Sequence, residues 1–123
     1  MRTTRSFPRT HRLHGRRAFA AVFAGKAAQS CGPLTLYALP NNLPHPRLGI
    51  VMSRSIGPAV RRNRLKRLLR EAFRLSQHDL PGSYDFIVIP RPHEPLILME
   101  YHRLLLRLGL ALHRDWQRPL PRE

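Results

Sequence analysis

Arg61-Arg62-Asn63-Arg64-Leu65-Lys66-Arg67-Leu68-Leu69-Arg70-Glu71-Ala72-Phe73-Arg74 reads as a helix with one apolar stripe and one cationic face. Leu65, Leu68, Leu69, Ala72 and Phe73 recur at i, i+3, i+4, i+7 and i+8, the spacing of a buried stripe. At about 100° per residue, Arg62, Lys66, Arg70 and Arg74 fall in one row on another side, with Asn63 and Arg67 in the row beside them. Like charges at i, i+4 destabilise a helix by roughly 0.2–0.5 kcal/mol per pair. Three such pairs in succession call for an anionic partner, and nucleic acid is the natural one.

The flanks of this helix set the expected fold. Gly57-Pro58 opens it, with Pro58 suited to the first helical position, and it ends near Gln77, ahead of Pro81-Gly82. Downstream, Tyr84-Asp85-Phe86-Ile87-Val88-Ile89 is a nearly continuous apolar strand of the kind buried on both faces. Upstream, Leu48-Gly49-Ile50-Val51-Met52-Ser53 is a strand expected to pair back on the alternating strand Leu34–Leu39, across the turn or loop Pro40–Pro46. A weaker strand is expected near Ala28–Cys31. A first helix runs from about Arg16 to Ala24 and stops at Gly25. A last helix, about Leu96 to His113, carries Leu98, Tyr101, Leu104, Leu105, Leu108 and Leu112 at helical spacing. The order αβββαβα predicts an α+β fold with helices packed on a four-stranded sheet. Three stretches are expected: a flexible basic segment 1–14, a single α+β domain 15–114 and a frayed tail 115–123.

A chain of 123 residues holds one hydrophobic core. Its formal charge of +15 is unevenly placed: residues 1–70 contain 15 Lys and Arg and no acid, whereas residues 71–123 contain 7 Arg against 7 acids. The excess therefore sits in one half, as an electrostatic footprint for a polyanion would. Lys26 and Lys66 are the only lysines. Arginine grips phosphate bidentately and stacks on bases, although a GC-rich genome also favours it. A single cysteine, Cys31, permits no internal disulfide and fits a reducing compartment. The N-terminus lacks an apolar run ahead of a cleavage site, so no secretory signal is expected and the cytoplasm is the expected location. Prolines 33, 40, 44 and 46 exclude a membrane span from the uncharged run Ala27–Pro46, and no membrane association is expected.

Protein-run phosphodiester hydrolysis usually needs carboxylates gathered around metal ions. Here the acids are scattered, and Glu71 is the only one on the basic helix. His11 and His14 are spaced HxxH but sit in a basic segment where solvation is the commoner fate, and His102 and His113 are three helical turns apart. Neither a metal-ligand set nor a phosphate-cradling glycine loop is recognisable. No catalytic residue and no metal site are expected in the polypeptide.

Ala59 to Phe73, with Arg62-Asn63-Arg64 at its heart, resembles the "RNR" signature of the bacterial ribonuclease P protein family. Arg12-Leu13, Phe19, Val22-Phe23, Gly25-Lys26, Leu36-Tyr37, Arg47-Leu48-Gly49-Ile50, Ser53-Arg54, Gly57, Asp85 and Arg91-Pro92 follow the family's order, so the resemblance covers roughly residues 12–112. It implies a ribosomal-protein-S5-domain-2-like fold with a mixed sheet, in which the basic helix lies in a left-handed βαβ crossover against the right-handed rule of about 98% of such units. It further implies the small subunit of a ribonucleoprotein endonuclease that removes the 5′ leader of precursor tRNA. The RNA subunit, with Mg²⁺ held mainly by that RNA and the substrate, would perform the hydrolysis. Partners implied are the catalytic RNA of ribonuclease P and precursor tRNA, with no obligate protein partner evident.

Residue by residue, Arg62, Asn63, Arg64, Lys66, Arg67 and Arg70 match the positions that dock on the catalytic RNA. Arg12, Phe19, Phe23, Thr35, Tyr37 and Arg54 match a cleft that receives the single-stranded leader. Aromatics in a positive groove give sequence-tolerant stacking. Three positions depart from the family's pattern: Ser55 where a second basic residue is common, Pro58 where Asn is common, and Val51 where a small polar residue is common. Read without the resemblance, Phe19 and Phe23 at i, i+4 are first of all a pair of core residues, as such pairs usually are, and Arg70 and Arg74 a solvated face paired with Glu71. Two other functions fit the same charge pattern. One is a structural RNA-binding protein without a substrate, such as a ribosomal protein or RNA chaperone; the other is a DNA-binding helix-turn-helix, which the flanking strands disfavour.

Overall fold

The computed structural model describes residues 9–118, so the expectations for residues 1–8 and 119–123 lie outside the described residues. The chain forms α1 (Arg16–Ala24), β1 (Ala28–Cys31), β2 (Leu34–Pro40), β3 (Arg47–Ile50), α2 (Ala59–Ser76), β4 (Tyr84–Pro90) and α3 (Leu98–Gln117). Short 3₁₀ turns cover Arg9–His11, Arg54–Ile56 and Gln77–Asp79. The expected αβββαβα order is the observed one.

The strand order is β1-β2-β4-β3. β3 does not pair back on β2, as the sequence led us to expect; it pairs in parallel with β4, Arg47 opposite Asp85 through Ile50 opposite Val88. The reason lies in β4, where every residue but Ile89 is buried. A strand apolar on both faces belongs inside the sheet, so β4 takes the place beside β2 and leaves β3 an edge. Parallel neighbours need a long crossover, and α2 supplies it. A fork locks this register: Arg47 donates from Nε and Nη2 to the two Asp85 carboxylate oxygens at 2.8 and 2.7 Å, and Asn41 Nδ2 donates to Asp85 Oδ1 at 2.9 Å. β3 also ends at Ile50, earlier than the expected Ser53, because the chain turns into Arg54–Ile56.

The two sheet faces differ. Leu34, Leu36 and Ala38 of β2 with Phe86 and Val88 of β4 face α2 and α3, forming the main core with Leu65, Leu69, Phe73, Tyr101, Leu105 and Leu112. Phe73 meets Phe86 edge-to-face at 5.8 Å. Each such fully buried large side chain stabilises the fold by about 1.5–3 kcal/mol. Ser76, wholly buried, donates to the Ala72 carbonyl and bonds His102 Nδ1, joining α2 to α3. The opposite face carries only α1 and a small cluster around Leu13, Val22 and Ile87, with Phe19, Phe23, Tyr37, Leu39, Val51 and Ile89 packed on it and still partly open. One helix of nine residues cannot cover four strands.

Packing extends past both expected domain limits. Leu13, expected within a flexible segment, is 5% exposed, and its N–H donates to Leu48 O at 2.9 Å, so this stretch runs along the outer edge of β3. α3 continues to Gln117 because Trp116 packs on the core and its indole N–H donates to Ala38 O at 2.9 Å. α1 stops after Ala24, but Gly25 is right-handed and Lys26 takes the positive φ of 58°. Gly25 is small for another reason: a Cβ there would sit 3.1 Å from Leu39 Cδ1. Pro58 precedes the first helical residue of α2 as its N-cap rather than occupying the first turn.

Candidate nucleic-acid interface

α2 buries Leu65, Leu69, Ala72, Phe73 and Ser76 and leaves its polar residues on three outer sectors. Arg62, Lys66 and Arg70 form one half-buried flank. Arg62 Nη1 donates to Gly57 O at 3.1 Å, which steadies the start of this row. Asn63 and Arg67 stand exposed on the crest. Arg64, also exposed, is separated from them: two residues from Lys66 at about 100° each, it falls on the opposite flank, beside Arg61 and Leu68. The helix thus offers cations over most of its outer surface rather than along one line. Arg74, at the far end of the row, is occupied by Glu71, to which its Nε and Nη2 donate at 3.0 and 2.5 Å.

The second set lies on the thinly covered sheet face. Phe23 meets Tyr37 edge-on with ring centres 4.8 Å apart. The Phe19 ring edge rests on Gly49, so close that a Cβ there would be 2.5 Å from Phe19 Cζ. Thr35 shares a hydrogen bond with Ser30 across β1 and β2 at 2.7 Å. All four side chains are half-buried. Phe19 and Phe23 therefore pack on the small cluster and still present ring surface. Arg54 is exposed on the turn linking β3 to α2, and among the described residues no hydrogen bond ties its side chain down.

Arg12 joins the two sets. Its backbone bridges Leu48 at the edge of β3, and its charge reaches α2: the Arg70 guanidinium is held below its usual pKa by burial and then by Arg12. α2 packs against β3, on which Phe19 of the aromatic face also rests at Gly49, so the two surfaces adjoin along this strand. The His11 and His45 rings pack at a tilt with centres 4.1 Å apart. Burial, followed by the charges of His45 and His78, pushes the His11 pKa down.

Asp85, the buried acid on β4, is neutralised by Arg47, whose own pKa rises through that hydrogen bond despite its partial burial. Glu71 is taken by Arg74 and Glu100 pairs with Arg103 at 3.4 Å. Among the described residues no group of three or more His, Cys, Asp or Glu side chains could hold a metal ion, and no helix is long and apolar enough to cross a membrane. The donors present suit phosphate, not Mg²⁺. At the departures, Ser55 bonds Ser53 at 2.5 Å and Val51 extends the small apolar cluster.

Sequence reasoning missed the Arg47–Asp85 fork and an apolar cleft beside Arg61 and Arg64. Both unite residues more than 30 positions apart, and no local spacing signals them.

A family model described as Ribonuclease P matches residues 7–114. The chain is 50% identical over 86 residues to the ribonuclease P protein component of Methylococcus capsulatus, covering 69% of this chain and 66% of that protein. It is 45% identical over 89 residues to the protein of that name from Thermotoga maritima, covering 72% and 75%. The solved RNase P protein from Thermotoga maritima, in complex with 1-(4-fluorophenyl)-2-thiourea, is similar with a TM-score of 0.68 and 36% identity, covering 80% of this chain and 97% of that one. The Staphylococcus aureus RNase P protein gives a TM-score of 0.69 at 27% identity, covering 85% and 95%.

Proposed function

Because this chain belongs to the ribonuclease P protein family, we propose that it binds the catalytic RNA of ribonuclease P through α2 and holds the 5′ leader of precursor tRNA on its open sheet face. In that role it assists endonucleolytic removal of the leader in the cytoplasm. The observation that supports this reading is that α2 and the aromatic face both pack on β3, along whose edge Arg12 runs. A strand of RNA leaving the helix would pass directly onto the aromatic face.

Each surface has a distinct physical task. Arg62, Arg64, Lys66, Arg67 and Arg70 neutralise phosphates of the folded RNA, and Asn63 can donate and accept hydrogen bonds at a 2′-OH or base edge. Phe19, Phe23 and Tyr37 offer ring surface to successive leader bases, worth about 1–3 kcal/mol per stacked base whatever its sequence. Thr35 adds a hydroxyl, and Arg12 and Arg54 add charge along the same path. In this reading bond breaking, with its Mg²⁺, belongs to the RNA subunit and substrate. The protein's share is affinity and orientation, which together lower the cost of bringing the scissile bond to the RNA's reactive centre.

Reconstitution tests this. The chain alone is expected to leave precursor tRNA uncut, and adding it to the cognate RNA at low Mg²⁺ is expected to restore leader removal. A chain that binds the RNA without changing its reaction would instead be a structural RNA-binding protein.

A further inference from the structure

On the flank of α2 away from Lys66 and Arg70, a cleft of about 230 Å³ opens between the first turns of the helix and the loop leading into α3. Leu65, Leu68 and Tyr101 form its floor, and Val60, Arg61 and Arg64 its lip. The opposite wall is His93 and Pro95. That wall is braced from behind. His93 Nδ1–H donates to the Arg91 carbonyl at 2.6 Å, which leaves Nε2 to accept from the Tyr101 hydroxyl at 2.7 Å, while the Leu96 N–H donates to the same hydroxyl at 3.1 Å. The polar atoms of the wall are thereby turned inward. Most of what faces the opening is apolar surface, including Val60 at 69% exposure.

We infer that this cleft receives one unstacked nucleobase of the bound RNA, with Arg61 and Arg64 gripping the phosphates on either side of it. Size argues for a single ring system, because the cleft is below the roughly 300–1,000 Å³ of drug-sized ligand sites. Charge argues for a polyanion: two arginines stand on the lip and no acid lines the cleft. Continuity argues for RNA over an acidic peptide. Arg64 is one residue from Asn63 and a turn from Arg67, so a strand on the crest of α2 would reach the cleft within a nucleotide or two. The inference rests on the RNA-binding reading above and adds a second recognition mode to it, since unpaired bases splayed from the stack are what proteins read in RNA.

Val60→Trp fills the cleft from the helix and Pro95→Trp from the loop; both positions are exposed, and thermal melting checks that each variant folds. The probe is the ribonuclease P RNA transcribed from the same genome. Either variant is expected to weaken binding about tenfold, a loss of about 1.4 kcal/mol, with an unchanged salt dependence because no cation is removed. At saturating protein, one unpaired nucleotide that the wild-type chain shields from base-modifying reagents is expected to become reactive. Wild-type affinity and an unchanged protection pattern in a folded variant would overturn the inference. So would variants that keep RNA binding and lose self-association, which would make the cleft a contact between copies. A wild-type chain that fails to bind this RNA at all would overturn the parent reading and the cleft's role together, a result distinct from the other two.

Discussion

The ion pair between Arg74 and Glu71 allows a quantitative test of which cations on α2 meet phosphate. Binding to a charged nucleic acid releases about 0.7–0.9 counterions per neutralised phosphate, single strands at the low end and duplexes at the high end. Six contacts, from Arg61, Arg62, Arg64, Lys66, Arg67 and Arg70, therefore predict a slope of log affinity against log salt between about −4.2 and −5.4. Each contact is worth roughly a 2.6- to 3.5-fold fall in affinity between 50 and 200 mM salt. Arg67 is exposed and in no ion pair among the described residues, whereas Arg74 holds Glu71, the acid one turn beyond Arg67, in a two-pronged bond. Arg67→Ala should therefore make the slope shallower by about 0.7–0.9. Arg74→Ala should leave it within error of wild type. Filter binding of labelled cognate RNA across a salt series reads both. Equal slope changes for the two variants would refute the division of the helix into paired and available cations.

Phe23→Ala should lower affinity for precursor tRNA by roughly 5- to 150-fold in the assembled particle, the value of one stacked base, while affinity for mature tRNA, which lacks the leader, stays put. A lower melting temperature with both affinities unchanged would make Phe23 a core residue only. Asp85→Asn should cost about 1–3 kcal/mol in urea unfolding: it removes the charge facing Arg47 and puts an N–H donor where Oδ2 accepts from Arg47 Nη2, and the 30% exposure of the Arg47 side chain keeps the loss below the 3–5 kcal/mol of a fully buried pair. The His11 pKa is lowered in the fold, so the unfolded chain takes up its proton first as acidity rises. This contribution to stability is present above the ordinary histidine pKa of 6.5 and is lost as pH falls below it. His11→Gln should flatten the fall in unfolding free energy between pH 7.5 and 5.5, and an unflattened curve would exclude His11 as its source.

The sequence carried some levels of this structure clearly and others not at all. The α2 stripe was legible because five apolar residues repeat at a period only a helix satisfies, and α2 buries Leu65, Leu69, Ala72 and Phe73 as that period requires. The identity of β4 as a strand buried on both faces was legible from its composition. Its neighbour was not: adjacency in sequence pointed β3 toward β2, while the demand that an apolar strand sit inside the sheet placed β4 between them. The packed stretch around Leu13 looked loose because its stabilising partner, Leu48, lies 35 residues away. The same separation hid the cleft walled by Val60 and His93. The family resemblance gathered Phe19, Phe23, Thr35 and Tyr37 onto one surface; local pattern alone would have left them as an ordinary core pair and two strand residues. It did not foresee that Arg64 lies across the helix from Lys66 and Arg70.

The central claim is that α2 delivers this chain to an RNA that does the cutting. Leader removal by the cognate RNA at low Mg²⁺, titrated with wild-type chain and with the Arg64→Ala/Arg67→Ala variant, tests it most directly. The prediction is stimulation by wild type and a requirement for roughly 10- to 100-fold more of the variant, as expected for two exposed charge-assisted contacts. Superimposable titrations, or cleavage by the protein without RNA, would contradict it.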